Sequence, residues 1–152
     1  MANLDTLQLV LRQAERERDQ AQALMLQAQA RANQARAQAQ DLHRYQGEYD
    51  ARWHQQFQHS NTGIETLQNY RRFGDRLGEA IAQQGQLATV LEGRLDLARQ
   101  ALQDKEMRVA AIRKLIERRW AEAQRLAARQ EQKANDEFGQ RRLGAPGAAL
   151  RP

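Results

Sequence analysis

The chain has 152 residues, of which 41% are hydrophobic and 5% aromatic, and its formal net charge is +5. Alanine and glutamine make up roughly a third of it, β-branched residues are scarce, and no proline precedes Pro146. This excludes most β-containing folds, which need Val/Ile-rich strands and regular turn signals, and a thick globular core. With no cysteine it also excludes disulfides and thiolate metal sites.

The first element is written in heptads. Alternating steps of three and four residues from Leu4 meet Leu7, Leu11, Ala14, Arg18, Ala21, Met25, Ala28, Ala32, Ala35, Ala39, Leu42, Gln46, Tyr49, Trp53 and Gln56. Only Arg18, Gln46 and Gln56 break the apolar seam, so the pattern predicts a coiled-coil helix over about 3–59. Its alanine-rich middle lets helices approach closely but buries little area.

His59-Ser60-Asn61-Thr62-Gly63 interrupts the pattern and reads as a turn over about 60–63. A second helix is predicted over about 64–141, with a seam from Leu67 and Tyr70 through Leu77, Ile81, Leu91, Leu95, Val109, Ile112 and Ile116 to Leu126. Gly74, Gln84, Lys105 and Arg119 are its exceptions. Gly74, Gly78, Gly85 and Gly93 read as tolerated helix glycines, each costing about 1 kcal/mol relative to alanine.

A short turn forces antiparallel pairing. The expected fold is all-α: an antiparallel coiled-coil hairpin over 1–142, helix two longer than helix one, with a flexible Gly/Pro/Ala-rich tail at 143–152. At 1.5 Å per residue the helices run roughly 85 Å and 115 Å, and the second overhangs the N-terminus by about 20 residues.

Signals for chemistry are weak. His43, His54 and His59 are not spaced as a helical metal pair, and a thin hairpin offers no pocket to desolvate a nucleophile. No catalytic, cofactor or metal site is expected, and no small-molecule substrate. The pI is about 10.2, with basic pairs at Arg71-Arg72, Arg118-Arg119 and Arg141-Arg142. Acids interleave with them, which reads as coiled-coil surface charge rather than a nucleic-acid stripe. No stretch reaches 18 apolar residues, and Met1-Ala2-Asn3-Leu4-Asp5 has no basic region followed by an apolar run, so a cytoplasmic protein is expected.

The aromatics are more telling. Tyr45, Tyr49, Trp53 and Phe57 recur every four residues on one helical stripe. Tyr70 and Phe73 lie just across the turn, so folding brings both groups together. Tyr49 and Trp53 occupy seam positions, whereas Tyr45, Phe57 and Phe73 do not. The off-seam rings either thicken that end of the hairpin or form an exposed patch for a protein partner.

At these residues the sequence resembles the FliJ family of the bacterial flagellar type III export apparatus. Three segments carry the likeness. Leu42-His43-Arg44-Tyr45-Gln46-Gly47-Glu48-Tyr49 is similar to the family pattern L-x-x-Y-Q-x-E-Y. Asn69-Tyr70-Arg71-Arg72-Phe73, followed by Leu77, Glu79, Ala80 and Ile81, is similar to N-Y-x-x-F-x-x-x-L-x-x-A-I. Gln132-Lys133-Ala134-Asn135-Asp136-Glu137-Phe138 is similar to Q-K-x-x-D-E-F. Order, spacing and length agree up to about Arg142, and the last ten residues fall outside.

The resemblance implies a non-enzymatic stalk. Its terminal end would insert into the hexameric export ATPase and promote assembly and activity, through Leu4, Leu7, Leu11, Asp136, Glu137 and Phe138. A surface nearer the turn would contact the cytoplasmic domain of the export-gate membrane protein, through Gln38, Leu42, Tyr45, Tyr49, Phe73, Leu77 and Ala80. Flagellar export chaperones are further implied partners, and the implied location is peripheral to the inner membrane at the flagellar base. Leu42 and Tyr49 lie on the predicted seam and cannot be both fully buried and fully available, so either the register slips near the turn or these two support the surface from below. The rival readings are the equivalent stalk of a virulence-type secretion system, a basic coiled coil that binds nucleic acid, and a generic coiled-coil dimer.

Overall fold

The computed structural model describes residues 3–59 and 63–144, and these form two helices with no strand among them. Helix α1 spans Leu4–His59 and helix α2 spans Ile64–Gly144. They make the antiparallel hairpin that the two seams require, with α2 the longer. Asn3 starts α1: its Oδ1 accepts a bond from the Thr6 N–H at 2.8 Å, and its carbonyl accepts the Leu7 N–H at 3.1 Å. This satisfies two amides that the first turn would otherwise leave unpaired. At the start of α2 the Gly63 carbonyl accepts the Leu67 N–H at 3.2 Å. Asp5 and Glu65 lie in the first turns, and Arg141 and Arg142 in the last turn of α2, each at the end where its charge complements the helix dipole. Leu143 and Gly144 continue α2 past the expected end near 141. Residues 60–62 of the expected turn and 145–152 of the expected tail lie outside the described residues.

The chain divides into two compact units. The larger is Glu17–Lys105. From Arg18 to Trp53 and from Tyr70 to Lys105, every seam residue is buried or half-buried. Ala32, Ala35, Leu77 and Leu95 are the most enclosed. Three of the polar seam residues, Gln84, Lys105 and Arg18, make side-chain bonds. Gln84 Nε2 donates to the Ala35 carbonyl and to Gln38 Oε1, both at 3.1 Å. Lys105 Nζ donates to Glu17 Oε2 at 3.1 Å, and Arg18 bonds Asp19. The first two cross from helix to helix, so they fix the register of an alanine-rich seam that small side chains leave loosely specified.

Close to the chain reversal the seam shifts by one residue. Gln56 is exposed and Phe57 half-buried; Leu67 is exposed and Thr66 half-buried. The shift turns the Phe57 ring, rather than an amide, onto Trp53 and Tyr70.

The smaller unit joins the start of α1, up to Arg16, to α2 from Glu106. Leu7, Ala14 and Val109 are buried there, and Arg113 Nη2 bonds Glu15 Oε1 at 3.1 Å. Counting up α2 from Arg113 by the separation of Glu15 from Leu4 sets the start of α1 opposite the region of Gln124, within one turn of Ala121. Beyond Ala121 the side chains are exposed through Phe138. Ala123 and Leu126, the last positions of the predicted second seam, are therefore uncovered: the helix that would bury them has already begun.

A Cβ added at Gly74, Gly78, Gly85 or Gly93 would meet nothing within 4 Å. Packing within the chain does not demand glycine at any of the four. No described helix is long and apolar enough to cross a membrane.

Candidate partner-binding surfaces

The aromatic stripe closes into one cluster inside the Glu17–Lys105 unit. Tyr49 is its hub, with ring centroids 4.7 Å from Phe73, 5.3 Å from Tyr70, 6.0 Å from Trp53 and 6.4 Å from Tyr45. Trp53 and Phe57 both pack on Tyr70, at 5.2 and 5.5 Å, and Tyr45 meets Phe73 edge-on at 6.3 Å. The four-residue spacing stacks the α1 rings along one face, and the hairpin brings Tyr70 and Phe73 against it. The Tyr70 hydroxyl donates to Asp50 Oδ1 at 3.1 Å. Burial raises the Tyr49 and Tyr70 phenols above their ordinary value of 10.0, and the neighbouring Asp50 carboxylate pushes Tyr70 further the same way.

The seven residues expected to meet the export gate divide by exposure. Tyr45 and Phe73 are exposed, at 46% and 39%, and Gln38 is exposed as well. Leu42, Tyr49 and Ala80 are half-buried. Leu77 is 7% exposed and belongs to the core. Tyr49 thus supports Tyr45 and Phe73 from below, which removes the tension between its seam position and a surface role. Gln38, Leu42 and Tyr45 also line one open groove of about 550 Å³ with Asp41, Arg44, Glu48 and Gln84. In the sequence Gln84 reads as a polar break in the seam and as the next position along the expected gate-binding face. Its bond to Gln38 makes it part of the groove floor.

The six residues expected to meet the ATPase ring lie in the smaller unit and form two separate sets. Leu7 is buried, and Leu4 and Leu11 are half-buried in the helix pair. Asp136, Glu137 and Phe138 stand on the uncovered part of α2, Phe138 being 64% exposed. Arg142 places its guanidinium 5.8 Å from the centre of the Phe138 ring, a cation–π contact that orients an otherwise free ring. The structure does not bring the leucines to Phe138. Trp120 and Leu126, 57% and 58% exposed, extend the apolar surface of this segment. The sequence reads Leu126 as the last seam position, because an apolar side chain on a heptad helix reads as seam until its partner helix is known to have ended.

Among the described residues no three His, Asp or Glu side chains gather in a way that could hold a metal ion. What the chain presents is surface: a helical hairpin with one aromatic patch and one uncovered helical segment. That defines a coiled-coil protein that works through contacts with other proteins. The model of the flagellar FliJ protein family matches residues 3–147, and the chain belongs to that family. The match continues past Arg142, the expected end of the resemblance. The family is a structural component of flagellar type III protein export and not an enzyme family. A comparison with curated proteins gives no match.

Proposed function

We propose that the protein is the non-enzymatic stalk of a flagellar type III export apparatus. It works in the cytoplasm, peripherally associated with the inner membrane at the flagellar base. The uncovered segment of α2 with Asp136, Glu137 and Phe138, beside the start of α1 with Leu4, Leu7 and Leu11, enters the export ATPase hexamer and promotes its assembly and activity. The Tyr45–Phe73 face, with Gln38, Leu42, Tyr49, Leu77 and Ala80 around and beneath it, receives the cytoplasmic domain of the export-gate membrane protein. Export chaperones are bound as well.

The observation that carries the reading is the family match over residues 3–147. Its physical support is that exposed aromatic rings held by a packed layer below make efficient binding hot spots. Any effect on the ATPase is an allosteric coupling between protein surfaces, with no chemistry supplied by the stalk.

The test separates the two surfaces. Tyr45→Ala with Phe73→Ala weakens capture of the gate domain by at least about tenfold and leaves co-elution with the ATPase intact. Phe138→Ala with Glu137→Lys does the reverse. If both double variants keep both partners at wild-type affinity, the assignment of surfaces is wrong.

A further inference from the structure

The two flanks of the helix pair in the Glu17–Lys105 unit are unlike. On one flank Arg36 on α1 bonds Glu92 on α2 at 2.6 Å. The residues at seven-residue intervals from Arg36 and Glu92 are polar or glycine: Gln22, Gln29 and His43 on α1, Gly78, Gly85 and Arg99 on α2. That flank is hydrophilic, and an ion pair spans it.

The other flank is open and apolar. Three clefts of about 280, 150 and 210 Å³ follow one another along it. The first two share Leu24, and the second and third share Arg31 and Leu91. They form one continuous trough between α1 and α2. Its floor is alanine, including Ala21, Ala28 and Ala35. Its walls carry Leu24, 61% exposed, and Leu87, 48% exposed. Val90 and Leu97, 51% and 69% exposed, follow Leu87 at helical spacing on the outer wall. A polar bond crosses between the helices at either end, Lys105 to Glu17 and Gln84 to Gln38. The length between Ala21 and Ala35 is about 21 Å, or about four helical turns.

Two charges define the middle. Arg31 from α1 and Arg94 from α2 line the same cleft as Leu24, Ala28 and Leu91. Both are exposed, and neither forms an ion pair among the described residues, although arginines elsewhere on the helix pair do. A trough of small floor residues, large exposed leucines and unpaired cations on both walls has the geometry left when one strand is missing from a three-helix coiled coil.

We propose that this trough is a docking site for one acidic amphipathic helix of a partner protein, about four turns long. Its apolar stripe fills the space over Ala28 and between Leu24 and Leu87, and its flanking carboxylates meet Arg31 and Arg94. A second copy offering the same trough would set arginine against arginine, which disfavours groove-on-groove pairing. The chain's own residues 145–152 include two prolines and one arginine but no acid, so they lack the charge. The site runs along α1 and α2 toward the Tyr45–Phe73 face and meets it at Gln38, which lines both the third cleft and the groove beside Tyr45; Phe138 plays no part in it.

The test uses the full-length protein and a fluorescent peptide probe of about five helical turns, with leucines at heptad spacing and glutamates flanking them. A control peptide has lysine in place of every glutamate. Binding is read by anisotropy, helicity by circular dichroism and self-association by sedimentation equilibrium. The glutamate peptide binds saturably, at least about tenfold tighter than the lysine peptide, with an advantage that shrinks as salt is raised. Leu24→Glu with Leu87→Glu abolishes binding while helicity is retained, and Arg31→Glu with Arg94→Glu reverses the peptide preference. Equal binding of both peptides, no saturable binding, or survival of binding in the leucine double variant overturns the proposal. So does a concentration-dependent dimer that Leu87→Glu dissociates, because the occupant would then be a second copy. None of these readouts involves the export ATPase or gate, so failure here is distinguishable from failure of the stalk reading.

Discussion

Two stretches of the Glu17–Lys105 unit are built from the same heptad pattern with opposite materials. Beside the chain reversal, Tyr45, Tyr49, Trp53, Phe57, Tyr70 and Phe73 form a continuous ring cluster. Further along, Ala28, Ala32, Ala35 and Ala39 face a helix whose seam there includes Gln84 and Ala88. Large rings bury area even when half-exposed, so the first stretch is held by side-chain volume. The second is held by close backbone approach and a few polar bonds that set its register. Stability is concentrated where the aromatic patch must keep its shape, and the alanine stretch leaves open the flank on which another helix can lie.

This contrast can be broken at its strongest point first. Tyr49→Ala removes the hub of the cluster and costs about 2–3 kcal/mol, less than a fully buried aromatic because Tyr49 is half-buried. Urea unfolding followed by circular dichroism measures it. A cost below about 0.5 kcal/mol would mean that the rings do not hold the hairpin.

Glycine replacements sharpen the comparison in the other direction. Gly78→Ala and Gly85→Ala each stabilise by about 1 kcal/mol, because the new methyl meets open space and the helix loses its most flexible residues. Thermal melts of the single and double variants check both the sign and the additivity.

In the alanine stretch, Gln84→Ala costs about 1 kcal/mol through the lost bonds to Ala35 and Gln38. Glu92→Ala, which removes an exposed ion pair with Arg36, costs less than about 0.5 kcal/mol. If Glu92→Ala costs as much as Gln84→Ala, register is set by flank charges and not by the seam.

The aromatic stretch also has its own pH signature. Tyr49 and Tyr70 have raised phenol values when folded, so folding favours their neutral forms. Their contribution is complete below the ordinary value of 10.0 and is lost as pH climbs through the raised folded values. Melting temperature should therefore fall above pH 10 together with the appearance of tyrosinate absorbance. Asp50→Asn should lower the Tyr70 titration toward the ordinary value, since the carboxylate both accepts its hydrogen bond and repels its anion.

The fold was legible because a heptad seam is a local, periodic signal. Apart from Gln56, Leu67, Ala123 and Leu126, the seam positions read from the sequence are buried or half-buried. Those four fail for one reason: the sequence of one helix does not say where its partner turns or starts. The aromatic cluster was legible as a gathering of residues. The depth of each ring was not, since Tyr49 under Tyr45 and Phe73 depends on how two helices rotate against each other. Gln84 looked like a defect, and its bonds across the seam appear only when Ala35 and Gln38 are brought opposite. The trough at Leu24, Arg31, Leu87 and Arg94 was invisible, because seam periodicity ranks positions as inside or outside and says nothing of two unlike flanks.

The stalk reading is tested most directly by ATP hydrolysis. The purified flagellar export ATPase from the same organism is titrated with the full chain and, in parallel, with a chain ending before Asn135 whose helicity is confirmed by circular dichroism. The account predicts saturable stimulation by the full chain and its loss in the shortened one, since Asp136, Glu137 and Phe138 are then missing. No stimulation and no co-elution of the full chain with the ATPase would contradict it.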